Sequence, residues 1–247
     1  MSINLKYLLF CFIIFTSCKS QKTYVTDLEY QRYTVGESDQ TDASIDNMID
    51  PYRDQLSETM NTKIATNALH MPKRRPNSLL GNWFCDVLLA ASENLSQSDI
   101  DFACQNYGGL RLPSVGKGDI TVGTIYELMP FDNTLVILES NGKIVNQLIQ
   151  RIAEKGGWPI SDGLNFSMVD GKAEAIMIND KPLDLNGEYR FALPDYIANG
   201  GDDCHFLEKA KRIETGKLLR DVMIDHLKTQ DVNTPFTVDK TERIKTK

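Results

Sequence analysis

Helix-like and strand-like hydrophobic patterns follow one another along the whole sequence. Residues 134–139 form a run rich in β-branched side chains, which predicts a strand. Directly after it, Ile144, Leu148 and Ile152 recur at helical spacing and predict a helix over residues 142–153. This mixture excludes an all-helical fold and an all-strand fold. We therefore predict a mixed α/β (α+β) fold, built as a single layered domain.

The same patterns place the other elements. Further helices are predicted over residues 42–60, 78–91, 122–128 and 217–227, and further strands over residues 62–69, 100–104, 165–169, 173–178 and 189–193. No internal repeat of useful period accompanies them, which agrees with one domain rather than a repeat array.

Composition and charge limit the classes of partner. Hydrophobic residues make up 41% of the 247 residues and charged residues 25%, which excludes a disordered or collagen-like chain. There are 34 acidic and 27 basic residues, giving a formal net charge of −7. An acidic surface repels phosphate backbones, so we expect no binding to duplex nucleic acid. A local arginine cluster can still bind a small anion.

The first residues predict export. Lys6 is the only charged residue before Cys18, and residues 7–15 are continuously apolar. This pattern is typical of a signal peptide, predicted over residues 1–17, and is too short for a membrane-spanning helix of about 20 residues. The tetrapeptide FTSC that ends at Cys18 resembles a bacterial lipobox, in which the cysteine becomes the lipidated first residue. The alternative is an ordinary signal peptide with an incidental cysteine.

A lipid on Cys18 would make the chain a membrane-anchored protein with a tether and a domain. Acyl chains on Cys18 would anchor the protein in the membrane of the bacterial cell envelope. Residues 18–41 are polar and predict a tether, and residues 42–247 form the predicted domain.

The number and spacing of the cysteines argue against a structural zinc site. Cys85, Cys104 and Cys204 remain after the lipidated N-terminus, so at most one disulfide can form. No CxxC pair occurs, which disfavours structural zinc, and buried free thiols are the favoured interpretation.

Three glycine-containing loops carry the candidate ligand-binding residues. In the first loop, NYGGLR, Asn106 offers an amide and Arg111 offers a planar fork for a carboxylate or a phosphate. The glycines Gly108 and Gly109 predict a positive φ and a close approach of the backbone to a ligand. The alternative for this loop alone is a tight turn with a surface arginine.

The other two loops add aromatic rings and an acid. Phe131 and Asn133 lie in the loop MPFDN, and Tyr196, Gly201 and Asp202 lie in the loop DYIANGGDD. Two rings from different loops can sandwich a base, and a carboxylate can bind the two hydroxyls of a ribose. Taken alone, Phe131 is equally explained as a core residue.

A basic cluster, KRR at residues 73–75, precedes the helix that Ser78 can cap. It can supply a further contact to a phosphate. The alternative is a solvated loop.

Four of these segments together resemble one known family. The segments SLLGNWFCDVLL, NYGGLR, GDITVGTIYELMPFDN and DYIANGGDD, in this order, resemble the C-terminal, substrate-binding domain of the 5′-nucleotidase family. The resemblance covers roughly residues 45–230 and presents the chain as a stand-alone lipoprotein form of that domain. It implies a mixed α/β domain that recognises nucleotides.

The resemblance also implies roles for individual residues. Asn106 and Arg111 match the family residues that contact substrate, and Phe131 and Asn133 match those that lie at the base. Gly108 and Gly109 belong to the same substrate-binding loop as Asn106.

The remaining matches lie in the third loop and before the second predicted helix. Tyr196 stands where the family commonly has the second ring of the base sandwich, a Phe, and Asp202 matches the ribose-binding acid after Gly201. Arg74 matches a phosphate-binding arginine by its spacing from the GN pair of the helix. Asp203 departs from the family pattern, which usually has Gly at this position.

Full-length members of the family also resemble a two-domain hydrolase, in which a metallophosphoesterase domain holds two divalent metal ions. Here the three histidines, His70, His205 and His226, lie in none of the corresponding metal-binding motifs. We therefore predict no catalytic residue and no metal ligand in this chain. Mn, Zn or Mg ions would be held by a separate metallophosphoesterase chain.

Three hypotheses follow for the function. The favoured one is the nucleotide-recognition half of a split 5′-nucleotidase, with a nucleoside 5′-phosphate or nucleoside as ligand. The second is a non-catalytic surface lipoprotein that binds nucleosides or nucleotides. The third is an interaction protein whose ligand loops have decayed, and the joint presence of the candidate residues argues against it.

Overall fold

The computed structural model describes residues 42–246. The predicted signal peptide, the lipidation site Cys18 and the tether up to residue 41 lie outside the described residues. By its internal contacts the chain divides between Met48 and Ile49, and the elements described below lie in the unit over Ile49–Lys247, apart from the first residues of the first helix.

The described residues alternate between helices and strands as the hydrophobic patterns predict. The helices are α1 (Ala43–Met60), α2 (Leu79–Ser96), α3 (Val122–Leu128), α4 (Gly142–Glu154), α5 (Asp195–Ala198) and α6 (Leu219–Lys228). The strands are β1 (Lys63–Asn67), β2 (Met71–Pro72), β3 (Phe102–Ala103), β4 (Ser114–Val115), β5 (Gly118–Thr121), β6 (Thr134–Asn141), β7 (Leu164–Val169), β8 (Lys172–Ile178), β9 (Lys181–Pro182), β10 (Glu188–Pro194), β11 (Lys211–Leu218) and β12 (Ile244–Thr246). Short 3₁₀ turns lie at Tyr107–Gly109, Gly201–Asp203 and His205–Leu207.

A four-stranded mixed sheet in the order β11-β6-β10-β3 forms the middle layer. Strand β6 is antiparallel to both of its neighbours, and β10 is parallel to β3. Side chains alternate between the two faces of a strand, so Leu135 and Ile137 pack in one hydrophobic cluster while Val136 and Leu138 pack in the other. Because both faces are covered, the middle of β6, residues 135–138, is continuously apolar.

Helices and a second sheet cover the two faces of the middle layer. The cluster on one face contains side chains of α2, α3 and α6. The cluster on the other face contains side chains of α4 and of the second sheet, whose strand order is β12-β7-β8-β9. The mixed α/β layered fold predicted from the sequence is confirmed.

The predicted helix over residues 217–227 is displaced by a strand that the sequence analysis missed. Residues up to Leu218 belong to β11, which pairs with β6, and the helix begins at Leu219. β11 lies at the sheet edge and its residues KRIETGKL are mostly polar and exposed, so it lacks the apolar alternation that predicts a strand. Within the described range, no helix combines the length and the apolar character required to cross a bilayer.

Candidate ligand site

The loop NYGGLR leaves the middle sheet directly after β3 and forms a 3₁₀ turn. The backbone N–H of Gly109 donates to the carbonyl of Asn106 at 3.0 Å and closes this turn. A Cβ atom on Gly109 would lie 1.8 Å from Nε2 of the buried Gln105. Glycine is therefore required here by close packing. Neither Gly108 nor Gly109 uses the positive φ that glycine permits.

A buried hydrogen-bond chain joins this loop to the loop that contains Asp202. Nδ2 of Asn106 donates to Oδ2 of Asp202 at 2.8 Å, and Nε2 of Gln105 donates to Oδ1 of Asn106 at 3.2 Å. Asn106 is 7% exposed, and Gln105 is fully buried. The chain fixes the orientation of the Asn106 amide and holds the Asp202 carboxylate at the first loop.

Two aromatic rings remain exposed beside these polar groups. Phe131 is 40% exposed and Tyr196 is 45% exposed, whereas Phe102 and Phe191 are fully buried. A Cβ atom on Gly201 would lie 2.6 Å from the ring of Tyr196, so the Gly201 backbone supports that ring. Phe131 therefore presents part of its ring to the polar cleft, where the ring is accessible to a ligand.

These side chains line one cavity of about 300 Å³. Its lining residues are Asn106, Gly108, Gly109, Arg111, Phe131, Asn133, Tyr196 and Asp202. The structure thus brings together candidate residues from all three glycine-containing loops, with Gly201 behind Tyr196. Arg74 is not among the lining residues and instead lines another cavity, of about 420 Å³, together with Asn77 and Ser78.

The two neighbours of Arg74 in sequence contact the first loop. Nζ of Lys73 lies 4.3 Å and Cζ of Arg75 lies 4.1 Å from the ring centroid of Tyr107. Lys73 also donates to the carbonyl of Leu110 at 2.6 Å. Burial, together with the charges of Arg111 and Arg75, lowers the pKa of Lys73. The match of Arg74 to a phosphate-binding arginine stays a prediction, and the side chains that contact the ring of Tyr107 are those of its neighbours Lys73 and Arg75.

Arg111 faces both the first loop and the Phe131 ring. Its Nη1 donates to the carbonyl of Gly108 at 3.2 Å, and its Cζ lies 5.1 Å from the centroid of Phe131. The guanidinium therefore lies at the edge of the cavity with its charge available to an anion.

Asp203, which departs from the family pattern, does not line the cavity and instead contacts basic residues at the end of α4. Asp202 and Asp203 have φ values of 51° and 65°, so two consecutive residues adopt the left-handed conformation. Oδ2 of Asp203 lies 2.9 Å from Nζ of Lys155 and 3.7 Å from Nη1 of Arg151, at the end of α4. The hydrogen bond from Lys155 lowers the pKa of Asp203. Asp203 is therefore an anchor of the loop, and no pattern in the sequence indicates its contact with α4.

The arrangement has the chemical features of a nucleotide site. Two exposed rings can stack on a flat heterocycle, Asp202 can accept hydrogen bonds from sugar hydroxyls, and the arginine and lysine side chains can bind an anion. Between residues 42 and 246, no three His, Cys, Asp or Glu residues are grouped so that they could hold a metal ion. His205 bonds through Nδ1 to Glu208 at 2.7 Å, and His226 contacts Gln230.

The fold and the cavity define a ligand-binding α/β domain, and comparison with known proteins gives its family. Residues 56–209 match the family model described as 5′-nucleotidase, C-terminal domain. The chain therefore belongs to the 5′-nucleotidase C-terminal domain family.

Individual relatives agree with this assignment. The 5′-nucleotidase of Vibrio vulnificus is 27% identical over 225 residues, which cover 89% of this chain and 40% of the relative. Protein UshA of Escherichia coli is 30% identical over 142 residues, covering 56% of this chain and 25% of the relative. The chain thus spans at most two fifths of the length of these two curated relatives.

Solved structures show the same fold. The crystal structure of the 5′-nucleotidase precursor from Thermus thermophilus matches with a TM-score of 0.71 and 26% identity, covering 83% of this chain and 43% of that one. The Haemophilus influenzae NAD nucleotidase matches with a TM-score of 0.63 at 18% identity, a likeness of fold alone.

Proposed function

We propose that this chain is the nucleotide-recognition half of a split 5′-nucleotidase. The observation that carries the proposal is the single cavity in which Phe131, Tyr196, Asn106, Asp202 and Arg111 meet. The two rings hold the base and the Asn106–Asp202 pair holds the ribose. Arg111 and the basic cluster at residues 73–75 hold the 5′-phosphate. The ligand is accordingly a nucleoside 5′-phosphate or its nucleoside.

The reaction served by this recognition is hydrolysis of a nucleoside 5′-phosphate to nucleoside and phosphate. Divalent Mn, Zn or Mg ions would activate water and stabilise the charge on the phosphoryl group. With three histidines in scattered settings, this chain does not supply the ligands for such ions. A separate metallophosphoesterase chain supplies them, and this chain binds and orients the substrate.

The proposal includes a location in the bacterial cell envelope. A lipid on Cys18 would hold the domain at a membrane through a polar tether of residues 18–41. Nucleotides outside the cytoplasm would then be captured at that surface.

Phosphate release tests the proposal. The full chain, solubilised in detergent, is incubated with AMP and Mn²⁺ or Zn²⁺, alone and with a co-expressed metallophosphoesterase. We expect no turnover by the chain alone and stimulated release with the partner. Turnover by the chain alone would contradict the proposal. Saturable AMP binding without any stimulation would instead favour a nucleotide-binding lipoprotein.

A further inference from the structure

One arginine outside the cavity holds the loop that carries Phe131. Nη1 of Arg220 donates to the carbonyl of Phe131 at 3.2 Å, and its Nη2 lies 2.5 Å from Oδ1 of Asp132. The guanidinium carbon also lies 4.9 Å from the ring centroid of Tyr126 in α3. A single side chain thus contacts the backbone and the side chain of two consecutive loop residues and packs on a neighbouring helix.

The backbone beside Arg220 holds the same loop. The N–H of Leu219 donates to the carbonyl of Asn133 at 2.9 Å, and Leu218 pairs with Thr134 in the sheet. These contacts fix the end of the loop that joins β6. The start of the loop is different, because Phe131 and Asp132 are both exposed and project away from the core. The Arg220 fork contacts the backbone of Phe131 and the side chain of Asp132.

The burial of Arg220 makes it suitable for this role. Its side chain is only 14% exposed, whereas that of its partner Asp132 is 80% exposed. A planar fork with several donors can bind a carbonyl and a carboxylate together, which the single ammonium of lysine cannot do in the same geometry. Hydrogen bonds from a charged donor are stronger than neutral ones.

We propose that Arg220 is the positioning residue for Phe131: it fixes the loop so that the Phe131 ring faces Tyr196 across the cavity before the ligand arrives. This inference rests on the proposed nucleotide recognition and adds a residue of α6 that touches neither the base nor the phosphate. Arg220 also lies outside residues 56–209, the part of the chain that matches the family model.

A comparison of two ligands tests the inference. AMP carries a base, whereas ribose 5-phosphate has the same sugar and phosphate without one. In Arg220→Met, we expect the Kd for AMP to rise about tenfold, while the Kd for ribose 5-phosphate changes by less than about twofold. Arg220→Lys should give an intermediate value, because the charge near Asp132 remains and the fork is lost. Both Kd values are measured calorimetrically on the full chain.

A second arginine provides the matched control. Arg243 is also buried and bonds to carboxylates, but its partners are Asp86 and Asp239 and not the Phe131 loop. Arg243→Met should lower the melting temperature and leave the ratio of the two Kd values unchanged. If Arg220→Met changes both Kd values equally, as a merely destabilising variant would, the inference is wrong.

Hydrogen exchange separates this inference from the proposed function. Without ligand, the amide of Leu219, which donates to the carbonyl of Asn133 in this loop, should exchange about tenfold faster in Arg220→Met than in the wild type. Unchanged exchange, combined with normal AMP binding by the wild type, contradicts the positioning role alone. Failure of the wild type to bind AMP contradicts the proposed function, and the positioning role is overturned with it.

Discussion

Gly109 lies where the backbone passes so close to Gln105 that no side chain fits. The neighbouring Gly108 is different, because a Cβ atom there would lie 3.8 Å from Nδ2 of Asn106, an ordinary contact. A side chain would therefore have different effects at the two glycines of NYGGLR. Gly109 allows the hydrogen-bond chain from Gln105 through Asn106 to Asp202, and Gly108 leaves room in the cavity.

This difference gives a matched pair of substitutions. Gly109→Ala should displace Gln105 and Asn106, weaken nucleoside binding by about tenfold or more and lower stability by about 1–3 kcal/mol. Gly108→Ala should leave stability within about 0.5 kcal/mol. Thermal unfolding and calorimetric titration with adenosine check both. Equal stability of the two variants would contradict the close packing at Gly109.

The two exposed rings should contribute separately to binding. Phe131→Ala and Tyr196→Ala each remove a stacking surface worth about 1–3 kcal/mol, so the Kd for AMP should rise about fivefold to 150-fold in each. Because both residues are exposed in the free protein, by 40% and 45%, the melting temperature should change little. Tyr196→Phe, which keeps the ring, is the control and should bind normally. Unchanged AMP affinity in the double alanine variant would contradict the base sandwich.

At the scale of elements, regular segments were predictable and edge segments were not. The sequence predicts a helix over residues 142–153, and α4 spans Gly142–Glu154 with Asn141 as its N-cap. Its apolar residues repeat at helical spacing and pack against a sheet, so pattern and environment agree. β11 is missed because an edge strand with polar residues has no such pattern.

The loop between α5 and β11 depends on α4 through the contact of Asp203 with Lys155. This ion pair is exposed, so its contribution is small and sensitive to salt. Lys155→Met should weaken AMP binding by about threefold at low salt, and the difference from the wild type should disappear at about 1 M NaCl. Titrations at both salt concentrations check this. A defect that persists in high salt would contradict an electrostatic anchor.

The same contact predicts the sign of a pH dependence. The pKa of Asp203 is lowered in the folded protein, chiefly by the hydrogen bond from Lys155. Its contribution to stability is therefore complete above the ordinary value of 3.8 and is lost as the pH falls through the lower folded-state pKa. Asp203→Asn tolerates the left-handed conformation and removes only the charge. The difference in Tm between this variant and the wild type should persist from neutral pH to about pH 5 and shrink towards about pH 3.

At the scale of the whole molecule, the C-terminal segment connects the elements on the two faces of the middle sheet. Arg243 is 3% exposed, forms two bonds of 2.8 Å to Asp86 of α2 and donates to the carbonyl of Ile160 at 2.7 Å. The following strand β12 pairs with β7 in the second sheet. A residue near the chain end thus joins α2, on one face of the middle sheet, to the sheet on the other face.

Removal of this contact should destabilise the fold without altering the cavity. Arg243→Met should lower the free energy of unfolding by about 2–4 kcal/mol, because Asp86 loses its charged partner. Lys63→Met removes an exposed ion pair with Asp119 and should change stability by less than about 1 kcal/mol. Chemical denaturation measures both. Equal changes in the free energy of unfolding for the two variants would contradict this stabilising role of Arg243.

The residues that line the candidate site were predictable from the sequence, but the residues that contact and position them were not. The motifs identify Asn106 and Asp202, and the structure shows that their side chains, 96 residues apart, form a hydrogen bond. Gln105, Lys155 and Arg220 are ordinary surface or core types in the sequence, and only the three-dimensional fold brings them to the loops. The phosphate-binding role of Arg74 stays a prediction, because counting residues along a loop does not show which way each side chain points.

Calorimetric titration of the full chain with AMP in the presence of EDTA tests the central claim most directly. Under the proposed function, the chain should bind one AMP with the same Kd whether or not divalent ions are present, and should bind ribose 5-phosphate more weakly. Absence of binding, or binding that appears only when Mn²⁺ or Zn²⁺ is restored, would contradict the account.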